Sequence, residues 1–215
     1  MASFGEKILS YHDVLLRESD VELLDGPYWL NDAIITFWMQ FMEHELYQQH
    51  SPSVAFVTPD VVHFVKSSSG SDLAEELKSL ELQKKDVVLL PVNDCACLDS
   101  PGGCHWSLLV YSRKDGKFAH YDSSKGTNLE HAQRVAKALL PVLNAEVIDL
   151  VEVQCPQQKN SYDCGVHVIY NLDRVCQKYM EDCQDNTHRL ALKNDMEQNR
   201  HILKRLVLEL AQKSK

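Results

Sequence analysis

In the middle of this 215-residue chain the hydrophobic period changes, and that change limits the fold more than any other feature. Before it, apolar residues recur at helical spacing. Asn31 or Asp32 can cap a helix whose face is built by Ile34, Ile35, Phe37, Trp38, Phe41, Met42 and Leu46. Thr58-Pro59 reads as an N-cap and first-turn proline for a short helix to about Lys66, and Asp72 to Leu80 reads as another. Then come three strand-like runs. Asp86–Asn93 is a short apolar run of buried type. Trp106–Ser112 and Lys117–Asp122 flank Arg113-Lys-Asp-Gly116, where Asp115-Gly116 is a strong hairpin signal. After them the helical period returns at Leu129–Leu143, at Cys164 to about Tyr179, and from about Leu190 to Ala211, with one more strand at Glu146–Val153. A small run of strands between helices predicts an α+β fold, a small mixed sheet flanked by helices, with residues 1–215 as a single domain.

Bulk properties exclude several functions. The formal net charge is −9, and no block of Lys/Arg exceeds two residues, so no nucleic-acid footprint is expected. No apolar run reaches the length of a membrane span, and the first residues carry no signal-peptide core. A cytoplasmic or nuclear protein is expected, with its seven cysteines reduced, and a monomer is the default. Cys95, Cys97, Cys104 and His105 do not have the spacing of a standard zinc site, and neither a metal nor a cofactor is expected.

Three segments carry the chemistry: Gly102-Gly103-Cys104-His105-Trp106-Ser107, His120-Tyr121-Asp122-Ser123, and Pro156-Gln-Gln158 running on to Asp163-Cys164-Gly165. The Asp115-Gly116 turn brings His105 and Asp122 to the open end of one hairpin. There a carboxylate can fix an imidazole tautomer and stabilise its cation. Cys164 stands where a loop becomes a helix. The positive end of the helix dipole favours the thiolate, the reactive species. Gln158 can offer an amide N–H to a developing oxyanion. Taken singly, each residue has a plainer reading: Cys164 as a small core residue, His105 as a satisfied histidine, Asp122 as a turn cap, Gln158 as loop polarity. Only the joint pattern points to a nucleophile with its base.

That joint pattern resembles the Ulp/sentrin-specific family of ubiquitin-like-protein cysteine proteases. The resemblance rests on Trp29-Leu-Asn-Asp32 before a helix, His105-Trp106-Ser107, Asp122 after it, and Pro156-Gln-Gln158 with Asp163-Cys164-Gly165, in the order His, Asp, Cys. It implies a papain-like, Ulp-type fold and catalytic roles for His105, Asp122, Cys164 and Gln158. It also implies that Trp29 and Trp106 roof a narrow tunnel for the Gly-Gly end of the modifier. Within the family, the opening Ser10–Arg17 and Ser19–Asp25, with Val92-Asn93-Asp94 and Gly102-Gly103, is most similar to members that act on the neddylation modifier. The implied partners are that modifier and its conjugates, such as cullins. Asp32 would then meet an arginine near the modifier tail, or simply cap its helix. Alternatives within reach of the same residues are a SUMO-directed protease, an acyltransferase using the same triad, and an inactive binder of ubiquitin-like proteins.

Overall fold

The computed structural model describes residues 5–68, 73–96, 102–180 and 192–214. Among these the chain forms, in order, β1 (Lys7–Tyr11), β2 (Val14–Arg17), α1 (Glu18–Glu22), α2 (Asp32–Phe41), β3 (Val54–Phe56), α3 (Pro59–Ser67) and α4 (Leu73–Glu76). There follow β4 (Val87–Asn93), β5 (Trp106–Ser112), β6 (Lys117–Tyr121), α5 (Leu129–Leu143), β7 (Leu150–Glu152), α6 (Cys164–Tyr179) and α7 (Met196–Lys213). β1 and β2 form an antiparallel hairpin. The other five strands form one mixed sheet ordered β3-β4-β5-β6-β7, with parallel pairing at its two outer seams and antiparallel pairing inside. The expected mixed sheet between helices is present.

The buried strand β4 explains the layering. Its side chains alternate between two cores. Val87 and Leu89 pack with Leu108, Val110, Trp38 and Ile169 on one face. Val88, Leu90 and Val92 pack with Leu109, Phe118, Val135 and Leu139 on the other. Period-two alternation on a strand covered on both faces gives a continuous apolar run, which is why Asp86–Asn93 reads as buried. Pro91 is tolerated inside it for a directional reason. Leu89 O accepts from Val57 N, so the odd residues of β4 turn their polar groups toward β3, while Asp94 N donates to His105 O on the β5 side. The last β3–β4 pair is Phe56↔Leu89. Pro91 therefore faces a stretch where β3 has already ended, and its missing N–H breaks no ladder bond.

Local signals set some of the helix starts. Asn31, not Asp32, caps α2: its side chain accepts from Ile34 N. Pro59 occupies the first turn of α3, although Thr58 makes no side-chain cap. The expected helix over 72–80 breaks into α4 and a separate single turn, Lys78–Leu80, with Asp72 outside the described residues. The strand expected over Glu146–Val153 shrinks to Leu150–Glu152. The last helix starts at Met196, where Asp195 caps it by accepting from Gln198 N, and Leu190 lies outside the described residues. The sequence reading misses the β1–β2 hairpin, the short helix α1 and β3 entirely. No helix among the described residues is long and apolar enough to cross a membrane.

Candidate active site

The β5–β6 register fixes the first two groups. Leu108 pairs with Tyr121, and the turn Arg113–Gly116 closes the far end. At the open end, His105 directly precedes β5 and Asp122 directly follows β6. His105 Nε2 lies 2.6 Å from Asp122 Oδ1, and both residues are 4 % exposed. The loop before β5 grips the histidine through its backbone. Asp94 Oδ1 accepts from Cys104 N and His105 N, and Asn93 Nδ2 donates to His105 O. Gly103 makes that approach possible. Its φ is +87°, and a Cβ there would fall 2.1 Å from Asn93 Oδ1.

Asp122 is held from behind. Its Oδ1 also accepts from Ser124 N at 2.9 Å, and its Oδ2 accepts from Asn128 N at 2.9 Å. Burial would raise its pKa, but the bonds from His105, Asn128 and Ser124 outweigh burial and hold the carboxyl below its usual range. Asn128 is itself anchored, donating from Nδ2 to Val92 O and to Ser107 Oγ. Ser107 Oγ in turn meets His120 Nε2 at 2.9 Å, so His120 is a buried structural residue rather than a surface one.

Cys164 reaches the same point from the other side. It is the first residue of α6 and is 1 % exposed. For His105, burial alone would lower the pKa. Its hydrogen bonds to Asp122 and to Cys164 more than reverse that and hold the imidazole up at about 9. Gly165 is required by packing: a Cβ there would sit 2.9 Å from Leu30 Cβ. Leu30 belongs to the Trp29–Asp32 segment, so the start of α2 and the start of α6 are pressed together beside the thiol. His167, one turn further along α6, is buried, and burial takes its pKa down to about 4.

Gln158 sits in the turn before α6. Its N donates to Ser123 O, its Oε1 accepts from Ser123 Oγ at 2.7 Å, and its Nε2 donates to Asn160 O at 2.7 Å. A carboxamide nitrogen carries two N–H groups, so one remains for another acceptor. Trp106 is half-buried and donates from Nε1 to Leu30 O at 3.1 Å. Trp29 is 50 % exposed and donates from its Nε1 to Ser161 O. The indoles thus tie the segment before α2 to β5 and to the turn before α6. Both border a groove of about 720 Å³ that Asp32, Gly102, Gly103 and Leu30 also line. Asp32 is exposed in the first turn of α2.

The structure therefore brings His105, Asp122 and Cys164 into contact and sets Trp29, Asp32 and Trp106 on one groove, with Gln158 nearby on its own hydrogen bonds. The sequence reading misses the supporting groups Asn128, Ser123, Asn160 and Arg200. Asn93 and Asp94 were visible as a motif, though not as the clamp on the backbone of His105. An imidazole bonded to both a carboxylate and a thiol can activate the thiol as a nucleophile.

Comparison with known proteins defines the class. The model of the Ulp1 protease family, C-terminal catalytic domain, matches residues 28–213. The chain belongs to the Ulp1 family and is a cysteine protease. It is 39% identical over 209 residues to human Sentrin-specific protease 8, covering 96% of this chain and 98% of that one. It is 35% identical over 195 residues to NEDD8-specific protease 1 of Arabidopsis thaliana, covering 89% of this chain and 85% of that one. In fold it resembles the Ulp1 protease domain solved in complex with Smt3, the yeast ortholog of SUMO. That match has a TM-score of 0.68 at 20% identity and covers 98% of this chain and 90% of the other.

Proposed function

We propose that this protease cleaves after the C-terminal Gly-Gly of NEDD8, the neddylation modifier, both maturing its precursor and releasing it from conjugates such as cullins. The observation that carries the reading is one buried imidazole, His105, hydrogen-bonded to Asp122 at 2.6 Å with the Cys164 thiol beside it. The modifier assignment draws on the relatives whose names specify NEDD8. In this reading Asp122 orients His105, which pairs as an imidazolium with the Cys164 thiolate. The sulfur attacks the carbonyl of the last glycine. The second N–H of Gln158 and the backbone N–H of Cys164 take up the oxyanion. His105 gives its proton to the leaving amine, which is either a peptide N-terminus or a lysine side chain. Water, deprotonated by His105, then hydrolyses the thioester and restores the thiol.

The groove between Trp29 and Trp106 would hold the Gly-Gly end extended. Gly-Gly would fit a slot too narrow for a Cβ, which would exclude every other residue. Asp32, at the groove edge, would pair with an arginine near the modifier tail. The protein would act as a monomer in the cytoplasm or nucleus.

The test uses NEDD8, ubiquitin and SUMO, each bearing a C-terminal propargyl group. A mass shift with the NEDD8 probe, absent in Cys164→Ala and far slower with the others, is the expected result. A shift with SUMO alone would move the protein to the other branch of the family. No shift with any probe would leave a binder or an acyltransferase.

A further inference from the structure

Arg200 is a buried guanidinium from the last helix, α7, and is 4 % exposed. Arginine is rarely so covered unless paired. Here its Nε and Nη2 reach Asp163 Oδ1 at 3.0 and 2.8 Å. Nη1 donates to Leu23 O at 2.7 Å, and Nη2 also reaches Tyr28 O at 2.8 Å and Tyr162 O at 3.2 Å. These acceptors are not scattered. Tyr28 immediately precedes Trp29, and Tyr162-Asp163 immediately precede Cys164.

The connection continues past the ion pair. The second oxygen of Asp163 accepts from Asn160 Nδ2 at 2.7 Å. Asn160 Oδ1 accepts from Tyr162 N and Asp163 N. The backbone oxygen of Asn160 takes Gln158 Nε2. An unbroken hydrogen-bonded path therefore runs from α7 through Asp163 and Asn160 to the carboxamide of Gln158. Stability alone is a poor reason for this arrangement, because a buried ion pair typically does no better than packed apolar side chains of similar volume. What the fork provides is direction: a planar donor fixes one carboxylate, which fixes one amide.

We propose that Arg200 is a positioning residue for the protease reaction: through Asp163 and Asn160 it aims the free N–H of Gln158 at the oxygen of the scissile carbonyl. The inference rests on the roles proposed above for Cys164 and Gln158. Arg200 itself touches no reacting atom. Its bond to Tyr28 O gives it a second, separate hold on the groove wall at Trp29.

The experiment is a double-mutant cycle on turnover of a fluorogenic NEDD8 C-terminal amide. Cys164→Ala is measured first, and turnover by it would sink the underlying reading and this inference together. Asp163→Asn is the sharper variant. It keeps an oxygen for Arg200 but turns an NH₂ toward the NH₂ of Asn160, breaking the path at one link. It should lower kcat about tenfold or more with KM within about twofold, since loss of an oxyanion donor is felt in the transition state. Combined with Gln158→Ala, it should cost less than about a further twofold, because the group it aims is gone. Arg200→Lys should show the same non-additivity in kcat and also raise KM, through Tyr28. Alkylation of Cys164 by iodoacetamide, which builds no oxyanion, should stay within about twofold of wild type in Asp163→Asn. An undiminished tenfold loss in the Gln158→Ala background, or no loss of kcat in either single variant, would overturn the proposal while leaving Cys164 as nucleophile. If Arg200→Lys fails to fold, the Asp163→Asn cycle alone decides.

Discussion

His105 and Asp122 meet at 2.6 Å although neither lies in a strand: His105 directly precedes β5 and Asp122 directly follows β6, on opposite arms of one hairpin. The ladder behind them is rigid and buried, so the pair inherits its geometry from the sheet rather than from a loop. Asp122 also accepts from Ser124 N and Asn128 N, and the three bonds together hold it in one orientation.

The raised pKa of His105 gives a pH signature. The imidazolium should persist to about pH 9, so the alkaline limb of kcat/KM is expected near there. Asp122→Asn removes the carboxylate, the first of the two partners that oppose burial. It should move that limb to lower pH and reduce kcat by roughly 10²–10⁴. Stability follows the same proton. The folded pKa of His105 lies above its ordinary 6.5, so its contribution is complete below pH 6.5 and fades as pH rises through about 9. Asp122 acts at the other end: its lowered pKa contributes stability that disappears on acidification. Thermal melts of wild type and Asp122→Asn across pH 4–10 separate the two.

Gly165→Ala should destabilise by about 1–3 kcal/mol, because the new methyl meets Leu30 Cβ at 2.9 Å in a packed seam. Relief requires the start of α6 to shift, so activity should fall further than stability predicts. Urea unfolding alongside kcat shows both, and a neutral outcome for each would mean that the seam yields without moving the thiol.

Asp32→Arg tests the groove edge. Asp32 is exposed, so the melting temperature should hardly change. KM for the NEDD8 amide should rise about tenfold, with a reversed salt dependence, if the side chain meets a cationic tail. An unchanged KM would reduce Asp32 to a helix-start charge.

Trp29→Phe keeps an aromatic wall but loses the indole N–H that reaches Ser161 O. The lost bond should cost about 0.5–1.5 kcal/mol. Because Trp29 is half exposed, the effect should appear in kcat/KM more than in the melting temperature. Trp29→Ala should lose far more activity, since the wall goes with the bond.

Much of this site could be read before any coordinates. His105 and Asp122 were legible because a strong turn, Asp115-Gly116, dictates how two strands fold back and therefore which residues share an end. Cys164 was legible because a loop-to-helix boundary is a local event. Asn31 was one of two possible caps, and only coordinates separate it from Asp32. What escaped depends on tertiary context. The β1–β2 hairpin turns at His12-Asp13 with His12 at φ 45°, with none of the glycine that marks such turns. β3 has three residues, too few to show a period. Arg200 looks like any cation on a solvated helix face, and nothing local says that four acceptors surround it. The register of α7 against the turn before α6, and hence the whole support of Gln158, is decided by packing.

The hairpin also has a consequence for assembly. Base and orienter are joined through 17 residues of chain, so they can meet as soon as one turn closes. The thiol belongs to a different element, α6, whose place depends on Leu30 seated against Gly165. The hairpin by itself therefore holds base and orienter but no nucleophile, and cutting requires α6 docked against it as well.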